Sequence, residues 1–381
     1  MRLASVLLIF SIFHIYLLLN VDSHKERECG CNYGRIWVDI VLLIDHSSNV
    51  EQTEMQSLLQ SILTMFSHTS INPARNESVR IAVANFARNI VSLADLTQIN
   101  SIEDLEKILL KVQRNTLISD VNTGLALNWA SVVFEMSDRR PNAKNVVVLY
   151  SSAYSQGNVQ DPMQSAIQLK SQGVTIITVA IKGAAWPTLS LLASPDNGFS
   201  VTGSDVNTLV LNAFCQANCF CKSGFTRLVD SSGHQYGECV AVTNNVNNWV
   251  SASVDCSSWY RGSFLASEFS SFKHSFILNL TKPLKLDSYF IGLSYNKFTS
   301  GYQWQQPNGT IIALDSTFLP WLTGYPNNMY GDCVKIIRAN NPSAQNMVWM
   351  NAHCYEEVAN YVCQMNTCDT NNYCATLNDY D

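Results

Sequence analysis

Ile36-Trp37-Val38-Asp39-Ile40-Val41-Leu42-Leu43-Ile44, running into Asp45-His46-Ser47-Ser48-Asn49, decides the fold of the first half of this chain. Asp39 is the one polar residue before Asp45. A strand apolar at nearly every position has to be covered on both faces, as inside a parallel sheet. Downstream, residues 51–66 carry Met55, Leu58, Ile62 and Phe66 at helical spacing, and 79–86 alternate as a strand. Residues 102–112 and 122–136 read as helices, 146–150 as an apolar strand, and 162–172 as a helix closed by Gly173. A third apolar strand at 174–181 precedes helical stretches at 189–193 and 206–214. Strands alternating with helices predict an α/β doubly wound, mostly parallel sheet. Ligands bind such sheets beyond the carboxyl ends of the strands. Asp45, Ser47 and Asn49, directly after the first strand, are therefore the first candidate site. Their alternating oxygen groups suit Mg²⁺.

Composition narrows the functional classes. Of 381 residues, 47% are hydrophobic and only 14% charged, against about 25% in typical domains. Such a chain builds real cores and is not disordered. A net charge of −6 leaves no basic footprint for nucleic acid or for an anionic membrane.

The first residues set the compartment. Arg2 precedes an apolar run from Ala4 to Leu19, and Ser23 follows in a small-residue context. This reads as a signal peptide over residues 1–23 and predicts a secreted protein without stable membrane insertion. The oxidising route predicts paired cysteines, 12 in all. Sequons at Asn76, Asn279 and Asn308 are then candidate glycosylation sites.

Residues 216–239 form a cysteine-rich joint, with Cys219, Cys221 and Cys239 among glycines and polar residues. Beyond it, residues 240–364 are rich in Asn, Ser, Gly and aromatics. Helical spacing marks 249–259 and 268–278, the latter by Phe269, Phe272, Phe276 and Ile277. Residues 289–293, 333–337 and 361–363 are strand-like. Residues 365–381 are a polar, acidic tail.

Two resemblances follow from these residues. Residues 33–215 resemble a von Willebrand factor A domain, through the strand ending in Asp45-His46-Ser47, the Asn122-Thr123-Gly124-Leu125-Ala126-Leu127 turn into a helix, and Gly173-Val174-Thr175-Ile176. The resemblance places the family's metal-binding Thr on Val121 and its third-loop Asp on Ser151, with Asp120 as a nearby substitute. The implied Mg²⁺ site is degenerate and weak, because one of two carboxylates is lost. Residues 240–364 resemble a C-type lectin-like domain, an α+β disulfide-rich fold, through Trp249, Cys256, Gly262-Ser263-Phe264-Leu265-Ala266, Phe290-Ile291-Gly292-Leu293, Trp304, Trp321, Pro326-Asn327-Asn328, Asp332-Cys333, Trp349, Cys354 and Cys363. Tyr325-Pro326-Asn327, Met350-Asn351 and Gly331 stand where that family's calcium ligands are. No carboxylate remains there, so calcium-mediated sugar binding is not expected.

The second resemblance implies disulfides Cys256–Cys363, Cys333–Cys354 and, for a long form with an N-terminal hairpin, Cys221–Cys239. Proximity suggests Cys368–Cys374. That leaves Cys29 and Cys31 with Cys215 and Cys219, in either crossing, at the face of the sheet opposite the ligand crevice.

The order of the two domains resembles a group of secreted proteins expanded in nematodes. It implies a non-catalytic recognition protein binding a glycan or an extracellular protein, in innate defence. Tyr325, Asn327, Tyr330 and Asn351 are the candidate ligand-binding residues, with Tyr302 beside them, while Trp304, Trp321 and Trp349 belong to the core. The alternative is an extracellular matrix or assembly component with constitutive protein contacts. No HExxH, GxSxG or clustered Cys/His/Asp set points to an enzyme.

Overall fold

The computed structural model describes residues 26–140, 142–203, 205–338 and 347–374. The signal peptide expected over residues 1–23 and the end of the acidic tail lie outside the described residues. The chain divides into two compact units, one of residues 29–222 with 367–374, the other of residues 26–28 with 223–366.

The first unit runs β1 (Val38–Asp45), α1 (Gln52–Phe66), β2 (Arg80–Phe86), β3 (Ile90–Ala94), α2 (Ile102–Leu109), α3 (Thr123–Met136), β4 (Lys144–Ser151), α4 (Met163–Ser171), β5 (Thr175–Ala180), α5 (Trp186–Leu189), β6 (Gly198–Ser200) and α6 (Val206–Ala217). Its six-stranded sheet has the order β3-β2-β1-β4-β5-β6. All neighbours are parallel except β2 and β3. Every residue of β1 is buried, and its side chains alternate between two cores. Val38, Ile40, Leu42 and Ile44 join residues of α1, α2 and α6. Val41 and Leu43 join residues of α3, α4 and α5. Continuous apolarity in β1 is therefore the sum of two alternating patterns. Asp39, its polar exception, is buried between Arg80 and Arg140, which each donate two hydrogen bonds to it.

Two short edge strands were not legible. β3 is antiparallel and half-exposed, and β6 is three residues long. Neither has the apolar run that marks the interior strands. Residues 367–374 of the acidic tail pack with this unit, with Phe220 bridging Cys368 and the Trp37 and Tyr373 rings 5.0 Å apart.

The second unit runs β7 (Thr226–Val229), β8 (Gln235–Val242), α7 (Trp249–Trp259), β9 (Phe264–Leu265), α8 (Ser271–Thr281), β10 (Ser288–Asn296), β11 (Gly301–Gln305), β12 (Ile311–Ala313), β13 (Cys333–Arg338), β14 (Met347–Ala352) and β15 (Asn360–Asn366). β10 pairs with β11, β13 and β15, and β15 also pairs with β8 and β9. Trp304 and Trp349 are buried in its core with Tyr289, Ile291 and Ile336, and Trp321 is partly buried against it.

The helix expected at 268–278 begins later, at Ser271, because the Ser270 side chain caps it by accepting from Lys273 N. Its inner face also differs. The buried residues are Lys273, His274, Ile277 and Thr281, rather than the phenylalanines. Three carboxylates explain this. The Lys273 ammonium, wholly buried, bonds Glu26 (3.0 Å), Glu238 and the Gln364 carbonyl (2.8 Å). Burial opposes its charge, but Glu238 and Glu26 outweigh this and hold its pKa above the usual lysine value. Burial, with Glu238 adding repulsion, raises Glu26 despite the opposing Lys273 charge. Glu268 accepts from His274 Nδ1 at 2.8 Å and from Trp349 Nε1 at 3.1 Å.

The described disulfides are Cys29–Cys219, Cys31–Cys215, Cys256–Cys363, Cys333–Cys354 and Cys368–Cys374. Cys221 and Cys239 are disulfide-bonded as well. Of the two open crossings, the structure has the nested one.

Nesting makes Cys29–Cys219 and Cys31–Cys215 redundant. Either closes a loop of 190 or 184 residues, but the second to form closes only a ring of about eight residues. Removing one pair is expected to cost about 2–3 kcal/mol in the chain-entropy model, and removing both about 7 kcal/mol. Urea unfolding of the Cys→Ala pairs measures this; a double loss no larger than the sum of the two single losses would refute it. A second prediction concerns pH. Burial lowers the His274 pKa, but Glu268 and the Met347 carbonyl outweigh it and raise it above the ordinary 6.5. The stability from this pair is thus full below pH 6.5 and lost as pH rises through the raised value. Thermal midpoints from pH 6 to 9 should fall less steeply for His274→Gln than for the native chain.

Candidate functional site

At the carboxyl end of β1, the Asp45 side chain is fully buried. Its Oδ1 accepts from Ser47 N at 2.9 Å, and its Oδ2 accepts from Ser152 N at 2.9 Å and from the Ser152 hydroxyl. The residue facing Asp45 across β4 is therefore Ser152. Ser151, expected there from the sequence, lies one residue short, and its hydroxyl donates to Ala153 O instead. Val121 is buried and pairs with Gln156 by backbone bonds. Asp120 faces Arg88, at 2.5 Å, so it does not replace the missing carboxylate. Asn49 donates its amide to Ser119 O and Gln156 Oε1. The Thr123 hydroxyl donates to Tyr154 O.

Beside Asp45, the Ser47 hydroxyl is buried and without a hydrogen-bond partner among the described residues. One orphaned hydroxyl beside one carboxylate, itself saturated by three protein donors, does not fit a divalent cation that relies on charged oxygens. Among the described residues no group of three or more His, Cys, Asp or Glu could hold a metal.

The second unit treats its candidate residues in the same way. Asn351 is 1% exposed. Its Oδ1 accepts from Asn327 N at 2.7 Å, and its Nδ2 donates to Tyr302 OH at 2.8 Å and to Gly331 O at 2.9 Å. The Asn327 carbonyl oxygen accepts from Met329 N. Asn351 is therefore a strut that pins the 325–331 loop to β14, and it is withdrawn from the ligand-binding set. Gly331, at φ +117°, lets that loop lie against Ala352 O, where a Cβ would come within 2.1 Å. With both amides engaged and no carboxylate between them, the calcium position does not fit calcium either.

Tyr325 and Tyr330 do lie together on this loop, with ring centroids 5.5 Å apart. Tyr330 is exposed and Tyr325 half-buried. Around them stand residues that the sequence reading passed over. Phe298 is 100% exposed, Met329 87% and Tyr355 74%. They belong to three loops held together locally. Lys297 pairs with Asp332 at 2.8 Å, Tyr295 N donates to Asp332 O, and Cys333 is bonded to Cys354. Val358 is exposed on the same third loop. The only signal in the sequence was a bulky apolar residue inside each polar turn, as in Asn296-Lys297-Phe298-Thr299-Ser300. Lys297 and Asp332 neutralise each other, while Glu356 stands exposed beside Tyr355.

The described residues include two His–Glu pairs, His234–Glu28 at 2.9 Å and exposed, and His274–Glu268 at 2.8 Å and buried. His274 Nε2 lies 3.1 Å from Met347 O, so its second nitrogen is used by the backbone.

Residues 39–214 match the von Willebrand factor type A domain, and residues 245–365 match the Lectin C-type domain. C-type lectin domain-containing protein 160 of Caenorhabditis elegans is 26% identical over 368 residues, covering 92% of this chain and 56% of that protein. The chain thus spans little more than half the length of this relative. The human collagen alpha-1(XX) chain is 28% identical over 171 residues, which are 43% of this chain and 12% of that one. Proximal thread matrix protein 1 from the mussel byssus, solved with a zinc-occupied MIDAS motif, has 19% identity and a TM-score of 0.43, covering 54% of this chain and 51% of that one.

The saturated Asp45 gives a direct expectation. Calorimetric titration with Mg²⁺ should show no binding tighter than about 1 mM, and Ser152→Asp, which adds a carboxylate facing Asp45, should tighten it by about tenfold. Sub-millimolar affinity of the native chain would show that Asp45 and Ser47 suffice.

Proposed function

We propose that this chain, a von Willebrand factor type A domain followed by a C-type lectin domain, is an extracellular recognition protein that binds its partner through the apolar tip of the lectin domain, without a metal ion. The observation that carries this reading is the exposure of Phe298, Met329, Tyr330 and Tyr355 on adjoining, cross-tied loops. Aromatic residues and methionine are enriched at protein interfaces, and loops fixed in advance lose little entropy on binding. A protein surface is the ligand this chemistry favours. A glycan stacked on Tyr325 and Tyr330 is the other ligand class it accommodates.

The extracellular setting is supported by disulfide-bonded cysteines and the absence of any free one. Among the described residues no helix is long and apolar enough to cross a membrane. Recognition rather than catalysis is supported by the engagement of Asp45, His274 and Glu268 in structural hydrogen bonds. The resemblance of the sequence to secreted nematode proteins favours a part in innate defence. A second reading, a matrix component with constitutive contacts, draws its support from the similarity of the A domain to a collagen chain.

The test is binding to a panel of extracellular proteins and to a glycan array, with and without EDTA. Binding should survive EDTA. Phe298→Ala and Tyr330→Ala should each weaken it by about ten- to a hundredfold, as for interface hot spots, with unchanged circular dichroism. Loss of binding in EDTA, or full binding by both variants, would sink the tip as the site. Large homo-oligomers without any soluble ligand would favour the matrix reading.

A further inference from the structure

On another part of the lectin domain, α7 and the turn from β11 to β12 enclose a groove of about 440 Å³, a size that suits small ligands. Its lining contains no ionisable side chain. Ser253 and Ser257 face it from α7, Gln303 and Gln305 from β11, and Gln306 and Thr310 from the turn.

Each carboxamide is engaged at one end. Gln305 Oε1 accepts from the Ser253 hydroxyl, Gln303 Oε1 accepts from Asn296 Nδ2, and Gln306 Nε2 donates to Gln305 O. Among the described residues the Gln303 and Gln305 Nε2 groups and the Gln306 Oε1 make no hydrogen bond to protein. Val254 and Ile311, both exposed, put apolar surface at the rim. Neutral donors and acceptors above apolar edges match a neutral sugar ring, which presents hydroxyls and acetamido groups around C–H faces.

The turn itself holds the sequon Asn308-Gly309-Thr310. Pro307, Gly309 and Thr310, on either side of Asn308, all line the groove. We propose that an N-linked glycan on Asn308 folds back into this groove, its first sugars bonding the glutamine amides and the α7 serines and covering Val254 and Ile311. This rests on the extracellular reading, because the glycan is added on the secretory route. Attachment joins the Asn308 amide nitrogen to the first sugar's C1. The lipid diphosphate of the oligosaccharide donor leaves, and the amide proton passes to solvent. The other two sequons stand at exposed positions. Asn279 lies on the exposed face of α8 with its carbonyl oxygen accepting from Lys282, and Asn76 lies in an exposed loop.

The test uses the full chain secreted from a eukaryotic cell. Glycopeptide mass spectrometry gives site occupancy, and glycosidase release is timed for each site in native and denatured protein. Asn308 should be occupied, and its glycan released about tenfold more slowly in the native than in the denatured chain, the protection expected where local opening limits access. Asn76 and Asn279, where occupied, should show native and denatured rates within about twofold. Ser257→Trp, at an exposed helix position, fills the groove and should abolish the protection at Asn308 only; Gln305→Ala should reduce it. An unmodified Asn308 in chains glycosylated at Asn76 or Asn279 overturns the proposal and leaves the extracellular reading standing. So does equal native and denatured release at Asn308. A chain with no glycan at any site overturns both.

Discussion

A buried ammonium has to be met by opposite charge, and the lectin domain is organised around one. Lys273 has no exposed surface, and Glu26, Glu238 and Gln364 converge on it. Those partners come from the segment before β1, from β8 and from β15. One charge thus holds three distant parts of the chain in register with α8. Removing either member of such a pair leaves the other charge buried and unpaired, which typically costs about 3–5 kcal/mol. Gly237 belongs to the same arrangement, since a Cβ there would meet Glu28 O at 2.4 Å. The segment carrying Glu26 can lie against β8 only because that side chain is missing.

The same rule, read in reverse, explains the two candidate metal positions. A divalent cation needs carboxylates, and both positions have exchanged them for groups that satisfy the protein. Ser152 donates twice to Asp45, where a second acid would repel it. Asn351 makes three hydrogen bonds that tie a loop to β14. Each loop keeps its place without an ion. The lectin loops thereby hold apolar side chains in solvent, an arrangement that would be a liability on a surface with no partner.

The legible part of the fold was the part driven by apolar periodicity. β1, β4 and β5 declared themselves as continuous apolar runs, and α7 was readable at its observed ends, Trp249 and Trp259, but not on its inner face, where Trp249, Ala252 and Cys256 are buried. α8 was misread on its inner face because its buried residues include a lysine and a histidine, which spacing rules assign to solvent. Their burial depends on acids as far away in sequence as Glu26. The edge strands β3 and β6 were missed because half-exposed strands do not need the pattern. At the sites, the loss of carboxylates was visible in the residue types. That Ser152 rather than Ser151 faces Asp45, that Asn351 is a strut, and that the loops exposing Phe298, Met329, Tyr330 and Tyr355 are tied to one another were not.

What the sequence determined by itself is whatever follows from local pattern and composition: a doubly wound sheet buried on both faces, a second cysteine-stapled unit, and a shortage of acids at both candidate metal positions. These need only periodicity, charge count and the chemistry of each residue type. Tertiary structure decided which of two crossings the four cysteines around the first unit adopt, where α8 hides its charges, and which side chains stand together at the tip. Each of those depends on groups far apart in the chain meeting in space. Solvation and charge pairing act on that meeting, and sequence spacing does not encode it.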